Sequence, residues 1–426
     1  MRSFLLKYNE LSKEGYFTYL CALLSRAILP LHVKYLPPVM ILWTIFWYIE
    51  NYYKTADIYK TKALYKYLFL SFMIYYFWQV VGLFYSSDLE MGISNLFGRL
   101  SLVIFPLVLL LPGEMIKKRL NFLFKVFAVS TMAYLTFCYG YALYRSIEID
   151  AGVWYFNPHP KEFWLNYFFG EELLINIHPS YFSLYTLLSL FISLESFFNS
   201  GDSKRLKIFW LLGTVFLVMS VYFLSSRAGL IAGLFMIPLY LIIKFQRLKK
   251  NRYSWIFVIL AMLITIPVIL KNQRMDYFFG KLLNTKVEYE RKDDPRLTIW
   301  KSSLQLIRDN LLLGVGIGDV RTELTNQYLK VGEYKMAQER LNAHNQFLEV
   351  SIENGIIGLL IFLSILSLIL IISLADKNIL LLAFLISALV FFIFETVLYR
   401  LAGVTFFSLF SFLLLHINNV GTKTDR

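Results

Sequence analysis

Charged residues are scarce in this chain of 426 residues: they make up 17% of the sequence, whereas hydrophobic residues make up 58%. A mean hydropathy of +0.57 excludes the two or three soluble domains that this length would otherwise allow. Apolar runs of about 18 residues or more recur along the whole chain, and each can cross a hydrocarbon core of roughly 30 Å as a helix. The runs lack the alternation of barrel strands, so the sequence predicts an all-α, polytopic membrane protein.

Cysteines, histidines and nucleotide-binding motifs are also few. Cys21 and Cys138 lie in separate apolar runs and are interpreted as small core residues, which say nothing about redox compartment. The five histidines are scattered, without His-x-x-x-His spacing or an acidic triplet, so the sequence predicts no metal and no cofactor. The run GVGIGD at 314–319 lacks the P-loop lysine and the full dinucleotide-binding spacing, and is interpreted as a turn. No cleavage site follows the first apolar run, so we expect the N-terminus to be retained.

About twelve transmembrane helices are expected, in a single domain that covers residues 1–426. Residues 272–344 are predicted to form one large loop on the outer side of the membrane, between spans nine and ten, and its helix start and stop signals favour a functional loop with amphipathic helices. A second loop, at 146–176, is rich in aromatic residues and is expected to lie along the membrane interface. The predicted spans are 17–31, 36–53, 65–85, 94–112, 121–145, 177–199, 207–225, 227–246, 253–271, 345–374, 378–394 and 396–417.

The net charge of +13 is interpreted as a topology signal and not as a nucleic-acid-binding surface. Basic residues concentrate in one set of short connections, including 60–66, 117–125 and 244–252, while acidic residues gather in the opposite set, at 148–150 and 171–172. Because basic loops stay in the cytoplasm, both termini are predicted to be cytoplasmic. No nucleic acid is expected among the partners, whereas membrane lipids are.

Arg227 lies at a predicted helix start on the outer side. It follows Ser225 and Ser226, which are good capping residues, so it falls in the first turn of span eight. Helix N-termini attract anions, and a cation there opposes the helix dipole unless an anion is bound. The alternative is an arginine that snorkels to the interface, which is the only interpretation for Arg26 and Arg99.

Arg296 also begins a predicted helix, because Asp294 can cap it and Pro295 suits its first position. Taken alone, Arg296 is equally compatible with a solvated surface charge. The spacing that follows predicts an amphipathic helix on the outer face of the bundle, with Trp300 as a packing residue. The apolar positions of that helix are Leu297, Trp300, Leu304, Ile307 and Leu311.

His344 precedes span ten, whose first turn Asn342 or Asn345 can cap. It is either a polar residue at a helix end or a general base, and a side chain that titrates near neutral pH suits the second role. With Arg227 and Arg296 it gives two fixed cations and one base, a set that suits a lipid-linked diphosphate. Asn345 is taken as a further substrate-binding candidate.

Two other places remain open. His178 opens span six beside Pro179, and it either lines the same cavity and binds substrate or caps the helix. Glu395 and Arg400, which flank Tyr399, are interpreted as a structural ion pair at the last outer turn.

Four blocks in the C-terminal half are distinctive: SSRAG at 225–229, RLTIWKSSLQLIRDNLLLGVGIGD at 296–319, HNQFLEVSIENGIIGLLIF at 344–362 and ETVLYRLAGVTFF at 395–407. In these blocks the sequence resembles the O-antigen ligase and polymerase superfamily, bacterial membrane glycosyltransferases that use polyprenyl-diphosphate-linked glycans. The N-terminal half is similar only in hydropathy. The resemblance implies a helical bundle of the GT-C type with a lateral cavity open to lipid and with metal-independent chemistry. It also implies that Arg227 and Arg296 bind the diphosphate and that His344 is catalytic.

The function that the resemblance implies is O-antigen ligation in lipopolysaccharide biosynthesis. A glycan would move, with inversion, from undecaprenyl diphosphate to a hydroxyl of lipid A–core on the periplasmic face of the bacterial inner membrane. A polysaccharide repeat-unit polymerase and a protein O-oligosaccharyltransferase share the donor, so both alternatives stay open, as does the identity of the acceptor. A lipid or glycan transporter belongs to another class, and it is disfavoured because the chain has no paired halves with matching interrupted helices.

Overall fold

The computed structural model describes residues 15–51, 61–150, 152–159, 165–198, 201, 203–247 and 295–419. This part of the chain is mainly helical and divides into two compact units. One unit comprises the described residues within Met1–Ala22, Pro37–Leu120 and Arg291–Arg426, and the other comprises those within Leu23–Leu36 and Asn121–Glu290. The prediction of a single domain over 1–426 stays a prediction.

The helices are labelled in chain order. Those before the loop at 146–176 are α1 (Tyr16–Leu31), α2 (Leu36–Asn51), α3 (Ala63–Leu83), α4 (Leu89–Gly98), α5 (Ser101–Leu110), α6 (Glu114–Lys118) and α7 (Leu120–Arg145). Those after it are α8 (Pro179–Phe198), α9 (Lys204–Leu224), α10 (Arg227–Arg247), α11 (Arg296–Asp309), α12 (Val320–Lys330), α13 (Tyr334–Glu339), α14 (Gln346–Ala375), α15 (Ile379–Phe394) and α16 (Leu401–Leu413). Short 3-10 turns occur at Val33–Tyr35, Gly170–Glu172, Val397–Tyr399 and Leu414–Asn419.

The predicted class, a helical membrane protein, is confirmed. Among the described residues, six helices are long and apolar enough to cross a membrane, and three shorter ones are also apolar. Eleven of the predicted spans coincide with one helix or with two consecutive ones, as α4 and α5 do around Arg99. The ninth predicted span, 253–271, lies outside the described residues, so the count of twelve stays a prediction.

The first unit is built around α14, which packs against α3, α11 and α15, while α16 packs against α5. Phenylalanine rings fill much of its interior: Phe72 stacks on Phe407, and Phe392 lies against both Phe362 and Phe407. Rings of this size bury large apolar areas, so they hold helices of different chain regions together. This packing positions the start of α14, which is where His344 lies.

Within the predicted loop 272–344, the described part forms α11, α12 and α13, which share a small apolar core with Ile352 of α14. Its members are Ile299, Leu306, Val320, Leu324, Tyr328, Ala337, Ala343 and Ile352. Trp300 packs partly buried against this core, as expected. The packed face of α11 is that of Ile299 and Leu306, however, and the leucines of the predicted stripe, Leu297, Leu304 and Leu311, are exposed.

In the second unit, α8 is buried along nearly its whole length and packs against α9 and α10. The loop at 146–176 contains an antiparallel hairpin of β1 (Ile147–Asp150) and β2 (Val153–Phe156), which the all-α prediction missed. Its β-branched and aromatic residues favour strands, and Gly152, at φ +80°, supplies the tight turn between them. The snorkelling interpretation of Arg26 is wrong, because its side chain is fully buried in this unit.

Candidate active site

His344 lies in a tight loop immediately before α14. Asn345 caps the helix, and its side-chain oxygen accepts hydrogen bonds from the backbone N–H groups of Phe347 (2.9 Å) and Leu348 (3.0 Å). His344 itself has φ +44°, a left-handed conformation that is uncommon for residues other than glycine. Its N–H donates to the side-chain oxygen of Asn342 at 3.1 Å. The loop therefore holds the imidazole at the helix mouth at some backbone cost, a feature that recurs at functional sites.

Glu395, at the end of α15, brings Arg296 and His344 together. One carboxylate oxygen lies 3.7 Å from a guanidinium nitrogen of Arg296, and the other lies 3.4 Å from Nδ1 of His344. The side chains stay 20% exposed for Arg296, 30% for His344 and 14% for Glu395, so the cluster is half-buried and still accessible. Two partners of Glu395 thus lie on other segments, and its predicted pairing with Arg400 stays a prediction.

The geometry of this cluster has a chemical consequence for the imidazole. A carboxylate beside Nδ1 favours the tautomer that carries its proton there, which leaves Nε2 free to accept a proton. Nδ1 lies 3.4 Å from the carboxylate but makes no hydrogen bond in the structure, and such contacts often tighten only when substrate binds. The carboxylate also partly neutralises the guanidinium of Arg296.

The first residues of α14 also hold the segment that carries Glu395. The side-chain amide of Asn345 donates to the carbonyl of Ile393 at 3.1 Å, and the N–H of Leu398 donates to the side-chain oxygen of Gln346 at 2.7 Å. Both polar ends of Asn345 are therefore used within the protein. Its predicted contact with substrate stays a prediction, with a structural role now beside it.

Glu349 connects the first turn of α14 to the loop before it. Its carboxylate is buried and accepts a hydrogen bond from the N–H of Ala343 at 3.1 Å. An acidic side chain in the first turn is also favoured by the helix dipole. Glu349 thus fixes the residue that immediately precedes His344.

Arg227 is the first residue of α10, as predicted from its capping serines. The hydroxyl of Ser226 accepts from the N–H of Gly229 at 3.3 Å, which identifies Ser226 as the cap. A Cβ on Gly229 would come within 2.7 Å of Ser183 on α8, so a residue without a side chain is needed there. Arg227 belongs to the second unit, and its convergence with Arg296 and His344 stays a prediction.

His178 precedes α8 in the second unit. Its Nδ1 accepts from the N–H of Ser180 at 3.3 Å, and its Nε2 lies 3.3 Å from the carboxylate of Glu171. The capping interpretation therefore has direct geometric support. The substrate-binding interpretation of His178 stays a prediction.

Helix α14 is interrupted at Gly355, and the GVGIGD segment forms hydrogen bonds with the backbone groups next to this break. The carbonyls of Ile352 and Glu353 accept hydrogen bonds from the N–H groups of Val315 (2.8 Å) and Gly316 (3.0 Å). In the other direction, the N–H of Ile356 donates to the carbonyl of Leu311 at 2.9 Å. The predicted turn at 314–319 is thus a docked loop that satisfies backbone groups which the helix leaves unpaired. It has no sign of a phosphate cradle.

The other end of the GVGIGD segment is fixed by Asp319. Its two carboxylate oxygens accept from the backbone N–H groups of Ser87 (2.7 Å) and Asp88 (2.9 Å), between α3 and α4. The N–H of Gly318 also donates to the hydroxyl of Ser86 at 3.1 Å. This anchor connects the α11–α14 region to the α3–α4 corner.

Arg99 forms a buried ion pair with Glu353, directly before the break in α14. Both carboxylate oxygens of Glu353 accept from the guanidinium group, one of them at 2.9 Å, and Gln79 accepts a further bond at 2.9 Å. The snorkelling interpretation of Arg99 is therefore wrong, because the side chain points into the unit and is paired there. The acid that explains it lies more than 250 residues away in sequence.

Sequence reasoning missed Glu395, Glu349 and the Arg99–Glu353 pair as parts of this region. The sequence did contain a signal for them, because each is an ionisable residue in or beside a strongly apolar stretch. Ionisable residues in such stretches usually have a buried partner or a functional role. Among the described residues, no three histidine, cysteine or carboxylate side chains come close enough together to hold a metal ion.

Fold and site together define a polytopic helical membrane protein with a half-buried cation, acid and imidazole at the mouth of one helix. Residues 212–363 match the model of the family Wzy_C, described as O-antigen ligase. The match confirms the resemblance to the O-antigen ligase superfamily, and it includes Arg227, Arg296 and His344. No protein of curated function matches the chain. The family supports a function of the O-antigen ligase or polymerase type.

Proposed function

We propose that this protein is an O-antigen ligase-type glycosyltransferase. In this proposal it moves a glycan from undecaprenyl diphosphate to a hydroxyl of lipid A–core, on the periplasmic face of the bacterial inner membrane. The observation that carries the proposal is the contact of Glu395 with both Arg296 and His344. A cation and a base held by one carboxylate suit a reaction in which an anion leaves while a hydroxyl loses its proton.

Arg296 and Arg227 act on the donor in this proposal. The bond between the anomeric carbon and the phosphate oxygen breaks, and its electrons leave with the lipid diphosphate. Guanidinium groups match phosphate oxygens in pairs and keep their charge at any working pH. Because they stabilise charge that develops in the transition state, losing one of them is expected to cost on the order of 10²–10³ in rate.

His344 acts on the acceptor. Its Nε2 takes the proton as the acceptor oxygen attacks the anomeric carbon from the face opposite the diphosphate, which inverts the configuration. Glu395 holds Nδ1 and stabilises the imidazolium that forms, as acidic partners of catalytic histidines do. The glycosyl–phosphate bond supplies the free energy, so the reaction needs no ATP and we expect no metal requirement.

The decisive experiment is a deletion strain whose surface glycans are resolved by gel electrophoresis. Accumulated lipid-linked chains with unmodified lipid A–core would support the ligase. Glycans capped with a single repeat unit would instead indicate a polymerase, and unglycosylated proteins would indicate a protein O-oligosaccharyltransferase. Glycans that fail to reach the outer face at all would indicate a transporter.

Complementation of that strain with variants tests the residues. Arg227→Ala should abolish transfer while the protein still inserts, and Arg296→Ala should do the same, whereas Arg119→Ala is the matched control and should restore transfer. His344→Ala should slow transfer by roughly 10²–10⁴-fold and weaken donor binding much less. Equal loss of transfer and of donor binding would mean that His344 has a structural role. The matched control is His159→Ala, which removes a histidine from an exposed loop and should change neither property.

A further inference from the structure

One face of α11 is apolar and exposed, and the proposed reaction does not use it. Leu297, Leu304 and Leu311 recur every seven residues and are 56%, 48% and 53% exposed. The opposite face of the helix is packed through Ile299 and Leu306. A spacing of seven keeps Leu297 and Leu304 on one side of α11, which points away from the core, and Leu311 follows in the turn after the helix ends at Asp309.

The composition of α14 indicates where the membrane boundary lies. The helix has 30 residues, although about 20 are enough to cross the hydrocarbon core. Its stretch from Ile356 to Ala375 contains no charged residue, and its length of about 20 residues gives roughly 30 Å at 1.5 Å per residue. The preceding stretch, QFLEVSIENG, contains Glu349, Glu353 and three further polar side chains besides four apolar ones. This change of composition favours an edge of the hydrocarbon core near the break at Gly355.

The docked loop places the end of the leucine stripe at that same level. Leu311 and Val315 are hydrogen-bonded to Ile356 and Ile352, one on each side of the break. Between them, Leu312 and Leu313 are 65% and 46% exposed. A run of exposed leucines that is tied by backbone bonds to the edge of a membrane span faces lipid. The stripe on α11 continues directly from it.

Two basic residues accompany the leucines. Lys301 and Arg308 are exposed on the same side of α11, within about 60° of the leucines on a helical wheel. The acidic residue of this helix, Asp309, lies farther around and accepts a hydrogen bond from Gln305 at 3.1 Å. Leucines flanked by cations are typical of helices that lie in a membrane interface and contact anionic lipids.

We propose that the leucine face of α11, formed by Leu297, Lys301, Leu304 and Arg308 and continued by Leu311 in the turn after the helix, lies in the headgroup region of the bilayer and contacts anionic phospholipid. The helix that begins at Arg296 is then supported on one side by its own core and on the other by the membrane. This surface holds Arg296 at the height where the headgroup of a membrane-borne substrate lies. The proposal does not depend on which glycan is transferred.

Depth-dependent quenching tests this assignment in the full-length protein. A bimane label is placed by Leu304→Cys, and separately by Leu312→Cys, in a background where Cys21 and Cys138 are replaced by alanine. The labelled protein is put into nanodiscs that contain anionic phospholipid and lipids with a nitroxide near the headgroup. The expected result is that quenching at both positions is at least about twofold stronger than at the control position, Asp309→Cys, on the polar side of the same helix.

Three outcomes would overturn the proposal. Equal quenching at Leu304→Cys and Asp309→Cys would mean that the leucine face is in water. A label at position 304 that neither nitroxide lipid nor aqueous iodide reaches would mean that protein, such as a second copy of the chain, covers the face. Unchanged quenching after replacing anionic by zwitterionic lipid, or after Lys301→Gln with Arg308→Gln, would remove the assigned role of the two cations.

Discussion

Gly355→Ala is expected to be among the most damaging single-methyl additions in this protein. Gly355 has φ +63° and ψ −167°, a combination that is essentially confined to glycine. A Cβ at this position would lie 2.1 Å from the carbonyl oxygen of Leu312 and 2.6 Å from the nitrogen of Leu313. Both are backbone atoms, so no side-chain rotation can relieve the clash, and the docked loop must separate from α14.

The expected loss of stability follows from the contacts that break when the docked loop separates from α14. The backbone conformation alone costs alanine on the order of 1–3 kcal/mol. Three hydrogen bonds join the loop to the break, at Ile352, Glu353 and Ile356, and each contributes about 0.5–1.5 kcal/mol. The sum is roughly 2.5–7.5 kcal/mol, which is a large part of the 5–15 kcal/mol that typically separates folded from unfolded protein. We therefore expect a large fall in melting temperature or a failure to fold.

The assay is the apparent melting temperature of the full-length protein in detergent, followed by fluorescence-detected size-exclusion chromatography. Gly140→Ala is the matched control, because Gly140 lies inside α7 with open space where the Cβ would be. In a helix interior alanine is favoured over glycine by about 1 kcal/mol, so the control should melt at the same temperature or higher. If both variants melted at the same temperature and kept wild-type transfer, the docking of the loop against α14 would not require glycine at position 355.

Further predictions concern the acids of the site and its support. Glu395→Gln should lower the transfer rate by on the order of 10²–10⁴-fold with little change in melting temperature, whereas the exposed Glu339→Gln should leave the rate unchanged. Arg99→Met should destabilise the protein by about 3–5 kcal/mol, and the double variant with Glu353→Gln should recover part of that loss, because no charge is then left buried alone. Additive losses in the double variant would contradict the pairing. Asp319→Ala should cost about 1.5–3 kcal/mol for each of the two charge-assisted bonds it removes, and an unchanged melting temperature would contradict the anchor.

Helix-capping patterns in the sequence correctly predicted where the helices that carry the site residues begin. Arg227 and Arg296 begin helices because serines or a proline precede them, and Asn345 caps α14 because a short side-chain oxygen can reach the first free N–H groups. Most predicted spans coincide with helices for a similar reason, since the membrane forces every long apolar run to pair its backbone internally. These features need no knowledge of distant contacts.

The contacts that complete the site were not predictable in this way. Two partners of Glu395 lie 51 and 99 residues earlier, and the sequence favoured the nearer Arg400. Gly355 reads as an ordinary glycine in a long apolar helix, because the loop that allows the break is distant in sequence. The spacing of Leu297, Leu304 and Leu311 predicted a helix correctly but not which side would pack, since both sides carry apolar residues.

The break in α14 helps to set the distance between Arg296 and His344, which lie on different elements. An unbroken helix would pair the carbonyls of Ile352 and Glu353 internally and leave nothing for the GVGIGD loop to bind. With the break, a continuous series of backbone bonds connects the helix that follows His344 to the loop that follows α11. Backbone bonds lose no side-chain entropy on forming, so they set this distance more rigidly than an exposed ion pair does. The carboxylate of Glu395 then needs only to join two groups that the backbone has already placed.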